Sequence, residues 1–371
     1  MPDPLPLFPV NRLHIDELSD EIGIMQHAIG PRPDPAHGYC TDDVARALIV
    51  DLLQANERGW AAISPSAERS MAFLEAAFNP AAGRFRNFRS SAGEWLDTVG
   101  SEDAHARAAL ALGEASTAAG DLRMRVSAAA LFDRTLPASL RLTYLRPVAA
   151  ATVGCALVAR RGGDAATRAL PRLANLLWLA AGSTTGDGGS WPWPEPTLTY
   201  ENGIVPRALI RAGAQLGDRP MVERGLRLLD WLVAVQTAPE GHFSPIGNRG
   251  WWPRGGDKAR YDQQPMEATA LLLAAEAALE VTGDTRHRIT MEWAYAWYLG
   301  RNDVRVPVAL PDRGACQDGL TPAGANTNQG AESTLMWLQA LERIRAVRRS
   351  SALMERVAPI PRSTVAEVAT A

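Results

Sequence analysis

The chain is poor in the features that most simply assign a protein to a class. It has three cysteines in 371 residues, Cys40, Cys155 and Cys316. An odd count at wide spacing argues against a disulfide framework and for a reducing compartment. No CxxC pair offers a structural zinc ligand set, and no HxxxH pair supports another metal site. Neither a GxGxxG after a strand nor a GxxxxGK[ST] occurs, so no metal and no nucleotide cofactor is expected. Residues 1–10 place prolines among apolar residues without a basic n-region, and no secretory signal is read there. No uninterrupted apolar run approaches the ~18 residues of a membrane span. A net charge of -3 lacks the clustered basic surface that nucleic acid requires. The run Arg343, Arg345, Arg348, Arg349 reads as a solvated helix end. A cytoplasmic protein with no nucleic-acid or membrane partner is the expectation.

Strand signals are also scarce, and apolar residues recur at helical spacing through most of the chain. Six segments share one character, a polar or acidic start running into an Ala/Leu-rich helix. They open near residues 42, 102, 147, 201, 262 and 328, and the one at 147 is the weakest. Between them lies a more amphipathic set, expected near 14–28, 65–78, 121–134, 166–182, 219–237 and 284–299. Strict alternation of buried and amphipathic helices predicts an all-α (α/α)6 toroid of six helical hairpins, with an inner ring wrapped by an outer one. The whole chain is expected to be a single domain with its core over about 12–346, and 347–371 a C-terminal tail.

Loop lengths distinguish the two ends. Connections from inner to outer helices are short, as at 118–120, 161–165 and 216–218. Those from outer to inner are long, at 29–41, 79–101, 183–200, 238–261 and 300–327. Structureless loops of that length in a compact domain are usually functional. All would lie over the N-termini of the inner helices.

Acidic and amide residues gather at those N-termini. Each alone would serve as a helix cap or complement the helix dipole. A cap needs only one such residue, yet Asp42-Asp43, Glu102-Asp103 and Gln263-Gln264 are doubled, which favours a shared pocket. Five of the 11 tryptophans, Trp95, Trp191, Trp193, Trp251 and Trp252, fall in the long loops, with Tyr39, Tyr200 and Tyr261 beside the acids. Flat rings next to carboxylates and amides suit a sugar, with its apolar C–H faces and rim of hydroxyls. The alternative is that the tryptophans plug the loops against the rim. A Cys–His nucleophile from His37 and Cys40 rests on sequence proximity alone.

The segments His37–Leu48, Leu198–Asn202, Tyr261–Ala268 and Asn326–Leu335 resemble those of a bacterial group on the six-hairpin scaffold. Many glycoside hydrolases, some sugar epimerases and polysaccharide lyases share that scaffold. Members of the group stand alone or follow a glycosyltransferase domain, and often carry that label. Functional pairing with a glycosyltransferase is therefore implied, although nothing in this chain looks like one. The pair Asp42-Asp43 is also similar to the double aspartate of toroidal α-mannanases, while Ala104-His105-Ala106 departs from the group's pattern after Glu102-Asp103.

The resemblance implies a glycoside hydrolase or phosphorylase acting on an oligosaccharide through paired carboxylates. The candidates are Asp43 with Glu102 or Asp103 on one side, and Glu201 or Asp262 on the other. Asp42, Arg46, Arg107 and Gln263 would hold hydroxyls or tune the carboxyls. His37, Tyr39, His105, Trp191, Trp193, Tyr200 and Asn202 are further substrate-binding candidates, as are Gln264, Glu267, Asn326, Asn328, Gln329 and Glu332. A sugar epimerase or isomerase would instead rely on His37, His105 or His242 as proton carriers. A non-catalytic glycan-binding partner of a glycosyltransferase is the third alternative.

Overall fold

A computed structural model describes residues 5–182 and 191–357. Twelve helices form among the described residues, accompanied by two-stranded ribbons whose strands are two residues long. Six helices make the inner ring: α2 (Thr41–Arg58), α4 (Glu102–Ala118), α6 (Leu145–Arg160), α8 (Ile204–Leu216), α10 (Pro265–Thr282) and α12 (Ala331–Val357). Each packs on the next in chain order, and α12 returns to α2, so the ring closes. The fold is the (α/α)6 toroid.

The outer ring is α1 (Leu13–Leu18), α3 (Trp60–Ala77), α5 (Leu122–Ser139), α7 (Asp164–Gly182), α9 (Arg219–Val235) and α11 (Arg286–Tyr298). The helix expected over 14–28 is thus a single short turn. Beyond it Ser19 is extended, and the Asp20 carboxylate accepts the backbone N–H groups of Ile22 and Gly23 at 2.9 and 3.2 Å. That local turn competes with the helix for the same donors. At the other end α12 continues to Val357, beyond the expected core boundary at 346.

Inner helices bury almost every position; in α10, Pro265 to Ala278 are buried throughout. Their small residues permit close approach. Gly113 of α4 faces Gly154 of α6, and a Cβ on Gly113 would stand 3.0 Å from the Gly154 carbonyl oxygen. Two outer helices, α5 and α9, begin with side-chain caps: Asp121 accepts from Met124 N–H, and Asp218 from Met221 N–H.

Loop asymmetry follows the expectation with one exception. Inner-to-outer connections shrink to Gly59 alone between α2 and α3, and to Gly217-Asp218 between α8 and α9. Outer-to-inner connections are long except between α5 and α6, where residues 140–144 suffice. The elaborated face is therefore built from five loops. Ribbons stiffen it: Tyr39-Cys40 pairs with Phe88-Arg89, and Thr197-Leu198 with Trp252-Pro253.

The basic run in α12 is not a solvated end. Arg343 pairs with Glu114 of α4 at 3.3 Å and Glu276 of α10 at 3.5 Å, inside the ring. Arg345 and Arg349 clasp Glu57, and Arg348 clasps Glu292. Their carboxylate partners sit on other helices, which a one-dimensional reading of charge does not see.

Candidate active site

At the elaborated face, the acids opening the inner helices are not the caps. The α2 N-cap is Cys40 and that of α4 is Ser101, whose hydroxyl accepts from Ala104 N–H at 3.0 Å. Asp42, Asp43 and Asp103 therefore sit inside the first turns, where the helix dipole favours negative charge. Their carboxylates turn toward two arginines one turn deeper.

Arg107 of α4 is the hub. Its guanidinium meets Glu201 at 2.6 Å, Asp42 at 3.5 Å and Asp103 at 3.9 Å. Arg46 of α2 pairs with Asp43 at 2.9 Å and with Glu332 of α12 at 2.9 Å. Five carboxylates thus surround two guanidiniums. Both arginines and Asp43 are buried, whereas the other four acids open to solvent, with side-chain exposures of 22% for Asp42, 28% for Asp103, 15% for Glu201 and 34% for Glu332. A ligand entering from that face meets carboxylates first.

Burial penalises ionisation here. It pushes Asp43 up to about 6 against the pull of Arg46. Asp42 and Asp103 are raised for the same reason, against Arg107, and Asp42 Oδ1 is buried with no hydrogen-bond partner among the described residues. Tyr200 donates to Asp103 Oδ2 at 3.0 Å.

A second tier supports the loop before α8. Arg146, at the start of α6, reaches Glu195 at 2.8 Å and Asn202 Oδ1 at 3.0 Å, and its guanidinium lies 4.7 Å from the Tyr200 ring centre. It also donates to the Tyr200 carbonyl. Glu267 of α10 is buried and accepts from Glu201 N–H and from Asn202 Nδ2, the latter at 3.1 Å. Burial raises it to about 7. Arg146 is the bracing side chain absent from the sequence-based candidates. The one signal is its place at the opening of α6, an inner helix with no acid in its first turn.

Other sequence candidates lie elsewhere. Glu102 accepts from Thr143 and Tyr144 N–H at 2.9 and 3.0 Å, pinning the α5–α6 turn rather than joining the Arg107 cluster. Asp262 pairs with Arg249 at 3.2 Å. Gln263 is a buried brace, donating to Asp303 at 2.6 Å and accepting from Trp297 at 2.9 Å. Gln264 stands at the N-cap of α10 without a side-chain cap bond.

Tyr39 is buried and bonds Asp20. Trp191 and Trp193 are buried in a ring cluster with Trp231, and both indoles donate to Glu195, so they plug the rim. Trp251, half-buried, is the loop tryptophan beside Tyr200, 6.4 Å between ring centres. Asn326, Asn328 and Gln329 tie the last loop to itself and to Gly30.

The histidines are outside the carboxylate cluster. His105 is buried against Phe85 and Ser139 Oγ at 3.1 Å, and burial lowers it to about 4. His37 is exposed beside Asp34 and His27. His242 faces Glu240 and Asp303. Among the described residues no group of three His, Cys, Asp or Glu is arranged to hold a metal, and no helix is long and apolar enough to cross a membrane.

No protein-family model and no curated protein sequence matches the chain. Solved structures do. A cellobiose 2-epimerase from Bacillus thermoamylovorans aligns with TM-score 0.68 and 11% identity over 90% of this chain and 95% of that one. One from Spirochaeta thermophila gives 0.65 and 14% over 90% and 93%. A glycoside hydrolase family 76 α-mannanase from Bacteroides thetaiotaomicron gives 0.58 and 10% over 84% and 87%. The likeness is that of the (α/α)6 toroid. At such identities the likeness concerns the fold, and chemistry has to be argued from the site.

Proposed function

We propose that the chain is a carbohydrate-active enzyme that hydrolyses a glycosidic bond at the Arg107 cluster. The carrying observation is the convergence of Asp42, Asp103 and Glu201, from three separate segments, on one buried guanidinium. Glycoside hydrolysis needs one protonated carboxyl for the leaving oxygen and one ionised carboxylate for water or the sugar. Asp103, which burial raises against the lowering pull of Arg107 and of the Tyr200 hydrogen bond, is suited to the acid. Glu201, ion-paired to Arg107, is suited to the carboxylate role. Asp42 and the Asp43–Arg46–Glu332 group would hold hydroxyls, with Trp251 and Tyr200 as the aromatic wall.

Charge favours water over phosphate as the acceptor. Even with protons on Asp42 and Asp103, three carboxylates (Asp43, Glu201, Glu332) oppose Arg46 and Arg107. A phosphate dianion or a uronate entering there would be repelled, whereas a neutral oligosaccharide would not. The epimerase alternative needs a proton carrier near neutral pH, and all three candidate rings make their contacts elsewhere.

The test is a product screen on neutral mannose- and glucose-containing oligosaccharides, with and without phosphate, repeated with Asp103→Asn and Glu201→Gln. Hydrolysis that is independent of phosphate and falls by about 10²–10⁴-fold in each variant is expected. Epimerised disaccharide, or turnover surviving both changes, overturns the assignment.

A further inference from the structure

The turn Glu201-Asn202-Gly203 connects the Thr197–Leu198 strand to α8, and it is locked onto α10 from two directions. Glu201 has φ 47°, in the left-handed region that a glutamate adopts only at a cost. Such a conformation persists only where its surroundings over-determine it. Here one surrounding group is Glu267. One carboxylate oxygen accepts the Glu201 N–H, and the other accepts Asn202 Nδ2 at 3.1 Å and Asn202 N–H at 3.5 Å. The second is the absence of a side chain at Gly203: a Cβ there would run into the Ala270 carbonyl of α10. Positions 267 and 270 lie one helical turn apart, so both contacts share one stripe of α10.

The cation facing Glu267 is Arg146 of α6, which also fixes Asn202 Oδ1 at 3.0 Å. The remaining groups against Glu267 are the neutral donors of Glu201 and Asn202. The carboxylate is buried, out of the ligand's path.

We infer that Glu267 and Gly203 are positioning residues: they hold the strained backbone at Glu201 so that its carboxylate meets Arg107. The inference deepens the proposed function and rests on Glu201 being the working carboxylate. Without the lock, φ at residue 201 relaxes to the negative side, the side chain swings away, and the 2.6 Å pair with Arg107 is lost. Misplacement by about 1 Å is enough to cost on the order of 10²-fold in rate.

Two variants test it. Glu267→Gln is isosteric but turns one acceptor into a donor, so it cannot serve Glu201 and Asn202 together. Gly203→Ala leaves Glu267 untouched and pushes the turn off α10. In each, kcat on the substrate found by the product screen falls by about 10²-fold with KM changed less than threefold. Crystal structures of both variants show residue 201 out of the left-handed region and Arg107 released from Glu201.

Retention of the left-handed turn and the Arg107 pair in a folded variant overturns the inference, as does wild-type kcat. If one variant does not fold, the other decides with the same two readouts. The crystallographic readout needs no turnover. A wild type without glycosidase activity would therefore sink the proposed function while leaving the positioning claim to be judged on geometry.

Discussion

Both ends of the inner ring contain buried ion pairs, and they differ in stoichiometry. At the plain end Glu114, Glu276 and Glu280 meet Arg207, Arg211 and Arg343, acid for base, and the exposed Arg160 adds a further cation 3.8 Å from Glu280. At the loop face five acids share Arg46 and Arg107. Balanced pairing closes the ring at one end, with burial still lowering Arg207 to about 10. Surplus acid at the other end leaves carboxyls raised and partly open, the condition that acid–base chemistry requires. One fold thus uses the same residue types for cohesion below and, in the proposed function, for chemistry above.

The largest expected contrast lies in catalysis. Glu201→Gln or Asp103→Asn should cost about 10²–10⁴-fold in kcat/KM while the melting temperature holds, read by initial rates and calorimetry. A loss of stability in place of activity would erase the distinction between the ends. At the plain end, Arg343→Met should show the reverse. It strands Glu276 and leaves Glu114 with Arg207 at 3.8 Å, at about 3–5 kcal/mol of stability, with kcat of the folded enzyme unchanged. Denaturant unfolding with matched kinetics checks it.

A subtler contrast involves pH. Burial raises Glu342 of α12 to about 7, above its ordinary range, so the folded protein holds that proton longer than the unfolded chain. Its contribution to stability is full below about pH 4 and is lost as pH rises through about 7. Glu342→Gln should therefore melt above the wild type at pH 8, the gap closing by about pH 5. A gap that widens on acidification would refute the sign. The smallest effect belongs to Glu102→Gln, where the carboxylate only braces Thr143 and Tyr144: about 1 kcal/mol in stability and kcat within a few-fold.

Periodicity and loop length made most of the fold legible. The inner helices begin within a few residues of the expected positions, because apolar burial on all faces of a segment such as Pro265–Ala278 leaves a one-dimensional trace. The helix expected over 14–28 did not form beyond Leu18, because Asp20 satisfies its own backbone locally. For the candidate site, doubled acids pointed to the end of the toroid where the Arg46 and Arg107 clusters form. They did not separate Asp103 from its neighbour Glu102, since adjacent positions on a helix point about 100° apart and only packing says which faces the axis. Nor could tryptophan content distinguish Trp191 and Trp193, buried as plugs, from Trp251 beside Tyr200.

The sequence by itself therefore determined the ring, its six hairpins and the end where the acids gather, because hydrophobic period and loop length are properties of the chain in order. Tertiary structure alone decided which acids meet Arg107, that Arg146 and Glu267 brace the Glu201 turn, and that the α12 arginines plug the far end. Those relations join residues from separate helices, and only ring closure brings them together.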